Sequence, residues 1–424
     1  MRSGRMDKVG GGGNMLIKNI LFFLLVAPLM AVEIIPAPVR NSVDSLGNSP
    51  KYTIFGEIFS GDRNQHLQVT FFASIDPYEV VTAVSGTGSL LATDALAVLS
   101  TGATTNSSAS IRSRDYLLYN TGYQSEYAFT AMFPTTCVAG SRALIGPFDE
   151  EGGVQIGCDG ADFVIKHSNG LGTVTTVTRA NWDNPSTSDE LNNGQIFTQD
   201  KIEILRLSYA WFGVATITLE WFSVGGWRTL HQFKYPGALE VPHLQNPSLP
   251  IEAYVKNTTN NTNIQLKTVS WSAWSVRPDR SPSYRQFGFI GGGDFTTESQ
   301  VYSVRVTETF GGKHNHIPIK IERVYASTEG NKGTNIRVYR DCDITGGAWV
   351  KTDVDSSVTE VNSTASSVSC TKLVDILTLS KSDAQPLPFI NGGLKVRPGE
   401  TVTITAASAQ TAEVSASATW LELF

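Results

Sequence analysis

Charge is scarce in this chain of 424 residues. Asp, Glu, Lys and Arg make up 17% of it, against about 25% in average soluble domains. The 33 basic and 39 acidic residues leave a net charge of -6. That excludes a general nucleic-acid binder, which needs a basic face to displace counterions from phosphates. Cysteine is sparse too, with four residues and no C-x-x-C, so neither a zinc ribbon nor a thioredoxin-type site is expected. No P-loop occurs, and no G-x-G-x-x-G opens a helix after a strand, which excludes nucleotide-driven and nicotinamide-dependent chemistry. A G-x-S-x-G elbow is also missing, so a hydrolase triad has no local support. No apolar run is long enough to span a bilayer as a helix.

What fills the gap is Gly, Ser, Thr and Asn, around a 41% hydrophobic and 10% aromatic content. That content suffices for a large core and argues against disorder. With the turn formers it predicts many short strands rather than a helical bundle. The length suggests two to three domains.

The N-terminus stands apart. Arg2, Arg5, Lys8 and Lys18 precede a short apolar run, Ile20 to Val32, with small residues at Ala27 and Ala31. A basic start, a short apolar stretch and a small residue resemble a secretory signal peptide. The other reading is an apolar arm buried against an assembly partner. Membrane contact through residues 20–32 is a further expectation. Cys137 and Cys158 lie close in sequence, as do Cys342 and Cys370, so two local disulfides can form, with four buried thiols as the alternative. Sequons occur at Asn106, Asn257, Asn260 and Asn362.

From Lys51 onward the hydrophobic pattern has period two. Strands are expected at Tyr52 to Phe55, Leu67 to Phe72, Arg114 to Tyr119, Tyr127 to Phe133, Val154 to Gly157 and Phe163 to Ile165. Leu90 to Leu99 suits a strand or a short helix. Lys201 to Tyr235 carries the clearest alternation, with Ile217, Leu219 and Trp221 on one face and Thr216, Thr218 and Glu220 on the other. Pro and Gly clusters at Arg277 to Tyr284 and Gly291 to Gly293 mark an expected boundary. Beyond it, Val301 to Val306, Ile317 to Val324, Ile336 to Tyr339, Leu373 to Leu379, Leu394 to Val396, Thr401 to Thr405 and Glu413 to Leu423 read as strands. The fold expected is all-β: two β-sandwich domains, jelly-roll or concanavalin-like, at 51–285 and 286–424, after a leader and apolar arm at 1–50.

Candidate chemistry is thin. His314 and His316 would share a strand face and could bind a metal, but a solvated turn fits the surrounding residues better. The letters His314-Asn315-His316 lack the ββα context of the nuclease they spell. Asp149, Glu150 and Glu151 with Asp159 and Asp162 could ligate calcium, yet charged hairpin tips are the simpler reading. Glu203 and Glu220 could pair as glycosidase acids; outward strand positions explain them as well. No metal, cofactor or catalytic residue is assigned. Six of the eight Trp residues fall before Arg277. Trp221 and Trp271 read as core. Trp182 and Trp227, near loops, are the candidates for a ligand-stacking face.

The stretches Leu99 to Ser107, Ile111 to Asn120, Phe129 to Phe133, Asp149 to Gly157, Asn246 to Pro250 and Thr419 to Phe424 together resemble a family of β-rich virion-associated structural proteins of tailed phages and large DNA viruses. That resemblance spans Leu99 to Phe424, brings no functional residues with it, and implies location in the virion. The expected function is a non-enzymatic viral structural protein — capsid, fibre or tail surface component — serving assembly or host-glycan attachment. Its expected partners are other virion proteins, further copies of itself and host glycans, with no nucleic acid. The alternatives are a secreted carbohydrate-active jelly-roll enzyme and an exported cell-surface adhesin.

Overall fold

A computed structural model describes residues 63–119, 122–184, 196–210, 212–224, 226–276, 284–329, 333–389 and 393–423. The apolar segment at 20–32 and the strand expected at Tyr52 to Phe55 lie outside them. Most of the period-two pattern becomes strands, and no described helix is long and apolar enough to cross a membrane.

Two sheets enclose the first core. One has six strands in the order β1 (Arg63–Thr70), β16 (Ser270–Val276), β6 (Gln124–Ala131), β11 (Glu203–Tyr209), β12 (Ile217–Ser223) and β13 (Gly226–Phe233). The other has seven: β10 (Val174–Thr178), β9 (Asp162–Ser168), β8 (Gly152–Asp159), β7 (Ser141–Asp149), β14 (Ile251–Asn257), β5 (Ser108–Ser113) and β2 (Val80–Ser85). A small sheet of β15 (Gln265–Thr268), β4 (Leu96–Ser100) and β3 (Ser89–Thr93) closes one side. Leu90 to Leu99 is thus a hairpin, turned at Asp94 and Ala95 with φ of 54° and 61°. Inward side chains of both large sheets form one cluster, including Leu67, Trp271, Phe129, Leu205 and Trp221 from one and Ile111, Ile145, Ile156 and Ile165 from the other. This is the sandwich arrangement, two sheets facing across a shared apolar layer.

A second pair of sheets encloses a second core. One is built on β17 (Tyr284–Phe295), β31 (Ala412–Leu423), β21 (Ile319–Glu329) and β28 (Ala384–Pro388), with β29 (Leu394–Val396) also on β21. The other runs β24 (Val350–Lys351), β25 (Thr359–Asn362), β18 (Ser299–Val306), β30 (Thr401–Ser408), β22 (Thr334–Arg340) and β27 (Lys372–Leu379). Tyr302, Ile336, Val338, Ile404 and Trp420 lie in this core. No described sheet takes strands from both sides of residues 277–283. All described residues nonetheless belong to one compact unit, Tyr52–Phe424. The molecule is an all-β protein of sandwich construction.

Two local readings change. Gly291 to Gly293 is no linker: it lies inside β17, in unbroken register with β31. Gly291 faces inward, where a Cβ would come within 2.9 Å of the Tyr302 ring and of the Val301 carbonyl. Glycine there admits close approach of the opposite sheet. Arg114 to Tyr119 is not a strand. Leu117 N–H bonds the Leu249 carbonyl at 3.1 Å and Tyr119 N–H the Ser248 hydroxyl at 3.0 Å. Its backbone is thereby spent on a loop, and its side chains reach the second sandwich.

Cys137 is bonded to Cys158, tying the segment after β6 to β8, and Cys342 to Cys370, tying the end of β22 to the start of β27. Among the sequons, Asn257 and Asn362 are fully buried. Asn257 Nδ2 donates to the carbonyls of Thr104 and Thr262, so neither position presents an acceptor amide at the surface.

Candidate functional site: the outer face of the six-stranded sheet

Alternation sends every second side chain of the six-stranded sheet outward, and its register lines those residues up in rows. One row crosses all six strands as Gln65, Trp274, Glu126, Ser208, Thr218 and Gln232. The next row runs Gln68, Ser272, Ala128, Arg206, Glu220 and Thr229. Beyond it lie Thr70 and Ser270, then Thr130 and Ile204, then Phe222 and Trp227. Rows lie about 7 Å apart and strands about 4.8 Å apart. Glu126, Ser208 and Thr218 in the first row are buried; the groups of this grid open at the face are the amides of Gln65, Gln68 and Gln232, the hydroxyls of Thr70, Ser272 and Thr229, and the rings of Trp274, Trp227 and Phe222.

Hydrogen bonds fix that grid. Trp274 Nε1 donates to Glu126 Oε2 at 2.7 Å and Gln124 Nε2 to Oε1 at 2.8 Å. Gln65 Nε2 donates to Ser272 Oγ at 2.9 Å, and Gln232 Nε2 to Thr218 Oγ1 at 3.2 Å. Arg206 grips Glu220 through Nε at 2.8 Å and Nη2 at 2.6 Å. The same guanidinium lies 4.3 Å from the centre of the Trp227 ring, which meets Phe222 edge-on at 5.2 Å. A shallow cavity of about 270 Å³ opens beside these rows, lined by Gln65, Gln68, Thr70, Thr130, Ile204 and Ser270 among others.

Trp227 thus belongs to an outward aromatic corner. Trp182 does not: it is 4% exposed, donates Nε1 to the Val177 carbonyl at 3.1 Å and packs against Phe163 and Phe197. Its loop folds back over the core, so the ring has no face for a ligand. Trp274 was not singled out from sequence, although its place three residues beyond the core Trp271 already puts it on the opposite face.

The acids do not pair for hydrolysis. Glu203 shares the inward parity of Leu205 and accepts from Thr198 N and Oγ1 at 3.0 and 3.2 Å; burial raises its pKa. Glu220 faces outward on Arg206, so the two lie on opposite faces of the sheet. Glu126 and Glu220 share the outer face but sit two strands and one row apart, on the order of 12 Å between Cα atoms. Both oxygens of Glu126 accept N–H donors, and Oε2 of Glu220 is held by Arg206.

No family model and no curated protein matches the chain. Weak likenesses to solved structures each cover about half of it. One is lectin I-B4 from Griffonia simplicifolia, at 14% identity and a TM-score of 0.33 over 50% of this chain and 100% of the lectin. A second is an endo-1,3-β-glucanase from Streptomyces sioyaensis, at 9% identity and 0.38 over 55% and 100%. The third is the CBM2 module of the evolved Dit of Lactobacillus casei BL23 phage J-1, at 10% and 0.35 over 52% and 99%.

The histidines and acids noted from sequence meet elsewhere, between the two sandwiches. His316 is buried rather than solvated. Its Nδ1 lies 2.7 Å from Asn246 Nδ2, and its Nε2 lies 3.2 Å from Asp149 Oδ2, out of line for a hydrogen bond. Asn246 Oδ1 already accepts from Ser248 N at 3.1 Å. Asn246 therefore offers its NH2 to Nδ1, which accepts, and the imidazole proton sits on Nε2 toward the carboxylate. Tyr116 stacks on the His316 ring, with centroids 4.1 Å apart. Glu151 Oε1 accepts from His314 N at 2.8 Å. Asp149 and Glu151 are thus junction residues, not free hairpin tips. Asp159 is held separately by Arg142 and Lys166 at 2.8 and 2.6 Å. Among the described residues no three potential ligands gather into a metal site. A cleft of about 310 Å³ flanks the junction, lined by Tyr119, Asn246, Ser248, Phe310, Lys313 and His314 among others.

Proposed function

We propose that this protein is a non-enzymatic glycan-binding structural component of a virion surface, and that the outer face of the six-stranded sheet is its binding surface. The observation that carries the reading is the grid of amides and hydroxyls beside Trp227 and Trp274. Sugars are recognised by bidentate amide and hydroxyl contacts to ring hydroxyls and by stacking of apolar ring faces on aromatics. Rigid strands hold these groups with little ordering cost on binding. A neutral glycan suits the face, because Arg206 and Glu220 neutralise each other and Glu126 is buried under its hydrogen bonds to Trp274 and Gln124. The resemblance to virion proteins supports the setting.

A glycan array probed with the whole chain tests the site. Binding to at least one neutral glycan is expected, without release of reducing ends. Trp227→Ala and Gln68→Ala should each weaken it about 10-fold or more, equivalent to about 1.4 kcal/mol. Unchanged binding in both variants would remove the face from the proposal. Mass spectrometry of purified particles tests the setting, and absence of the chain from them would sink it.

A further inference from the structure

We infer that the chain self-associates by pairing β17 with β17 of a second copy, extending the outer sheet of the C-terminal sandwich across a two-fold axis. A strand at a sheet edge exposes a row of main-chain donors and acceptors, and natural proteins usually shorten, bulge or charge such edges, or break them with proline. The other described edges are shorter than β17, and several are bulged or contain proline. β10 and β2 have five and six residues, and β24 has two. β1 is bulged between Gln65 and Leu67. β13 borders a bulge at Leu219 and Glu220. β27 begins with Lys372 and borders a bulge at Val338 and Tyr339. β28 contains Pro386 and Pro388.

β17 is longer than any of these and has neither bulge nor proline; its only charges are Arg285 and Asp294, near its two ends. It runs for twelve residues in unbroken register with β31, without proline or lysine, and no described strand pairs its other side. Its outward residues are also self-complementary. Gly288, Ile290 and Gly292 lie opposite Thr419, Ser417 and Ser415, all on the outer face. Antiparallel pairing centred on Ile290 sets Ile290 against Ile290, Gly288 against Gly292 and Gln286 against Asp294. Same-face parity is kept throughout. Ile290 is 72% exposed in the single chain, and this pairing covers it. The glycines leave room for the facing isoleucines, and the amide of Gln286 can donate to the Asp294 carboxylate. The partner's ladder contributes about ten main-chain hydrogen bonds. A two-fold contact of this kind is isologous and closes at a dimer.

Sedimentation equilibrium of the whole chain, Ile290→Lys and Ile376→Lys tests the inference. The wild type should be dimeric. Ile290→Lys, which sets two ammonium groups face to face, should weaken association about 100-fold or more. Ile376→Lys, on the edge strand β27, should leave the dimer intact. Ile290→Cys should yield an intermolecular disulfide on mild oxidation, because that residue meets itself on the axis. Four outcomes would overturn the inference: a wild type that is monomeric at every concentration, a dimer that survives Ile290→Lys, a dimer lost equally in Ile376→Lys, or no cross-link from Ile290→Cys.

Discussion

A half-buried glutamate and a buried histidine in the first sandwich set opposing pH responses. Glu252 on β14 has its pKa pushed up to about 7, first by burial and then by Glu150 and Asp149, against the pull of Arg112. His167 on β9 is pushed down to about 4 by burial, with its Nδ1 held 2.7 Å from the Tyr235 hydroxyl. Folded Glu252 binds more protons than the unfolded chain between about pH 4.5 and 7, so it lowers stability as pH rises through that window. Folded His167 binds fewer between about pH 4 and 6.5, so it raises stability as pH rises there. Each effect is on the order of 3 kcal/mol. These two contributions largely cancel from about pH 5 to 6.5. Glu252→Gln removes one side. Its urea midpoint should therefore climb steeply over that window and exceed the wild type at pH 8 by about 3 kcal/mol. A variant that tracks the wild type at both ends would show that Glu252 ionises normally in the fold.

At the scale of elements, the sequence pattern was most legible where one face is apolar and the other wet. β12 shows it: Ile217, Leu219 and Trp221 are buried, and Glu220 and Phe222 face outward. The same rule misled at Arg114 to Tyr119, whose Leu117 is a core residue but whose backbone binds a loop some 130 positions later. It misled at Gly291 to Gly293, because the reason for glycine there is Tyr302 on the facing sheet. His316 read as solvated because its burial comes from Asp149 and Asn246, which no local window contains. Trp227 was legible as a ligand candidate; the rows that make it part of a face depend on register across five strand pairs. The cysteine spacing pointed at two local bridges, and the second has a measurable consequence. Cys342–Cys370 closes a loop of sequence separation 28 that spans β23 (Asp343–Thr345), β24, β25 and β26 (Ser367–Ser369). These are short strands with little ladder of their own. Restricting that loop in the unfolded chain is worth about 3.5 kcal/mol in the chain-entropy account. Cys342→Ser with Cys370→Ser should lose about that much in chemical denaturation, and amides of β23 and β26 should exchange first. A loss below about 1 kcal/mol would mean that these strands hold the loop without the bridge.

For the whole molecule, the question is what makes two cores behave as one body. The apolar clusters are separate, so their coupling rests on polar contacts. Asp115, in the segment after β5, receives Arg397 Nε at 2.6 Å, Arg397 Nη2 at 3.3 Å and Lys395 Nζ at 2.9 Å. Burial alone would raise its pKa, but the two cations outweigh that and hold the carboxyl below its usual range. Arg397 is anchored in turn by Glu400. One residue on, Tyr116 covers His316, so a single segment of the first sandwich carries two contacts to the second. Charge-assisted bonds of this kind are worth about 2 kcal/mol when one partner is removed, because the other is left buried and unmatched. They are also directional, so they fix orientation where apolar contact would let the sandwiches slide. With the junction intact, calorimetry should give one transition whose van't Hoff and calorimetric enthalpies agree. Arg397→Met keeps the aliphatic stem and removes the charge. The transition should then separate into two, with the C-terminal sandwich melting first because it has the smaller core. A single transition in Arg397→Met at the wild-type temperature would mean that the Asp149, Glu151, His314 and His316 contacts couple the sandwiches by themselves. The double variant with His316→Leu would then be the one to split.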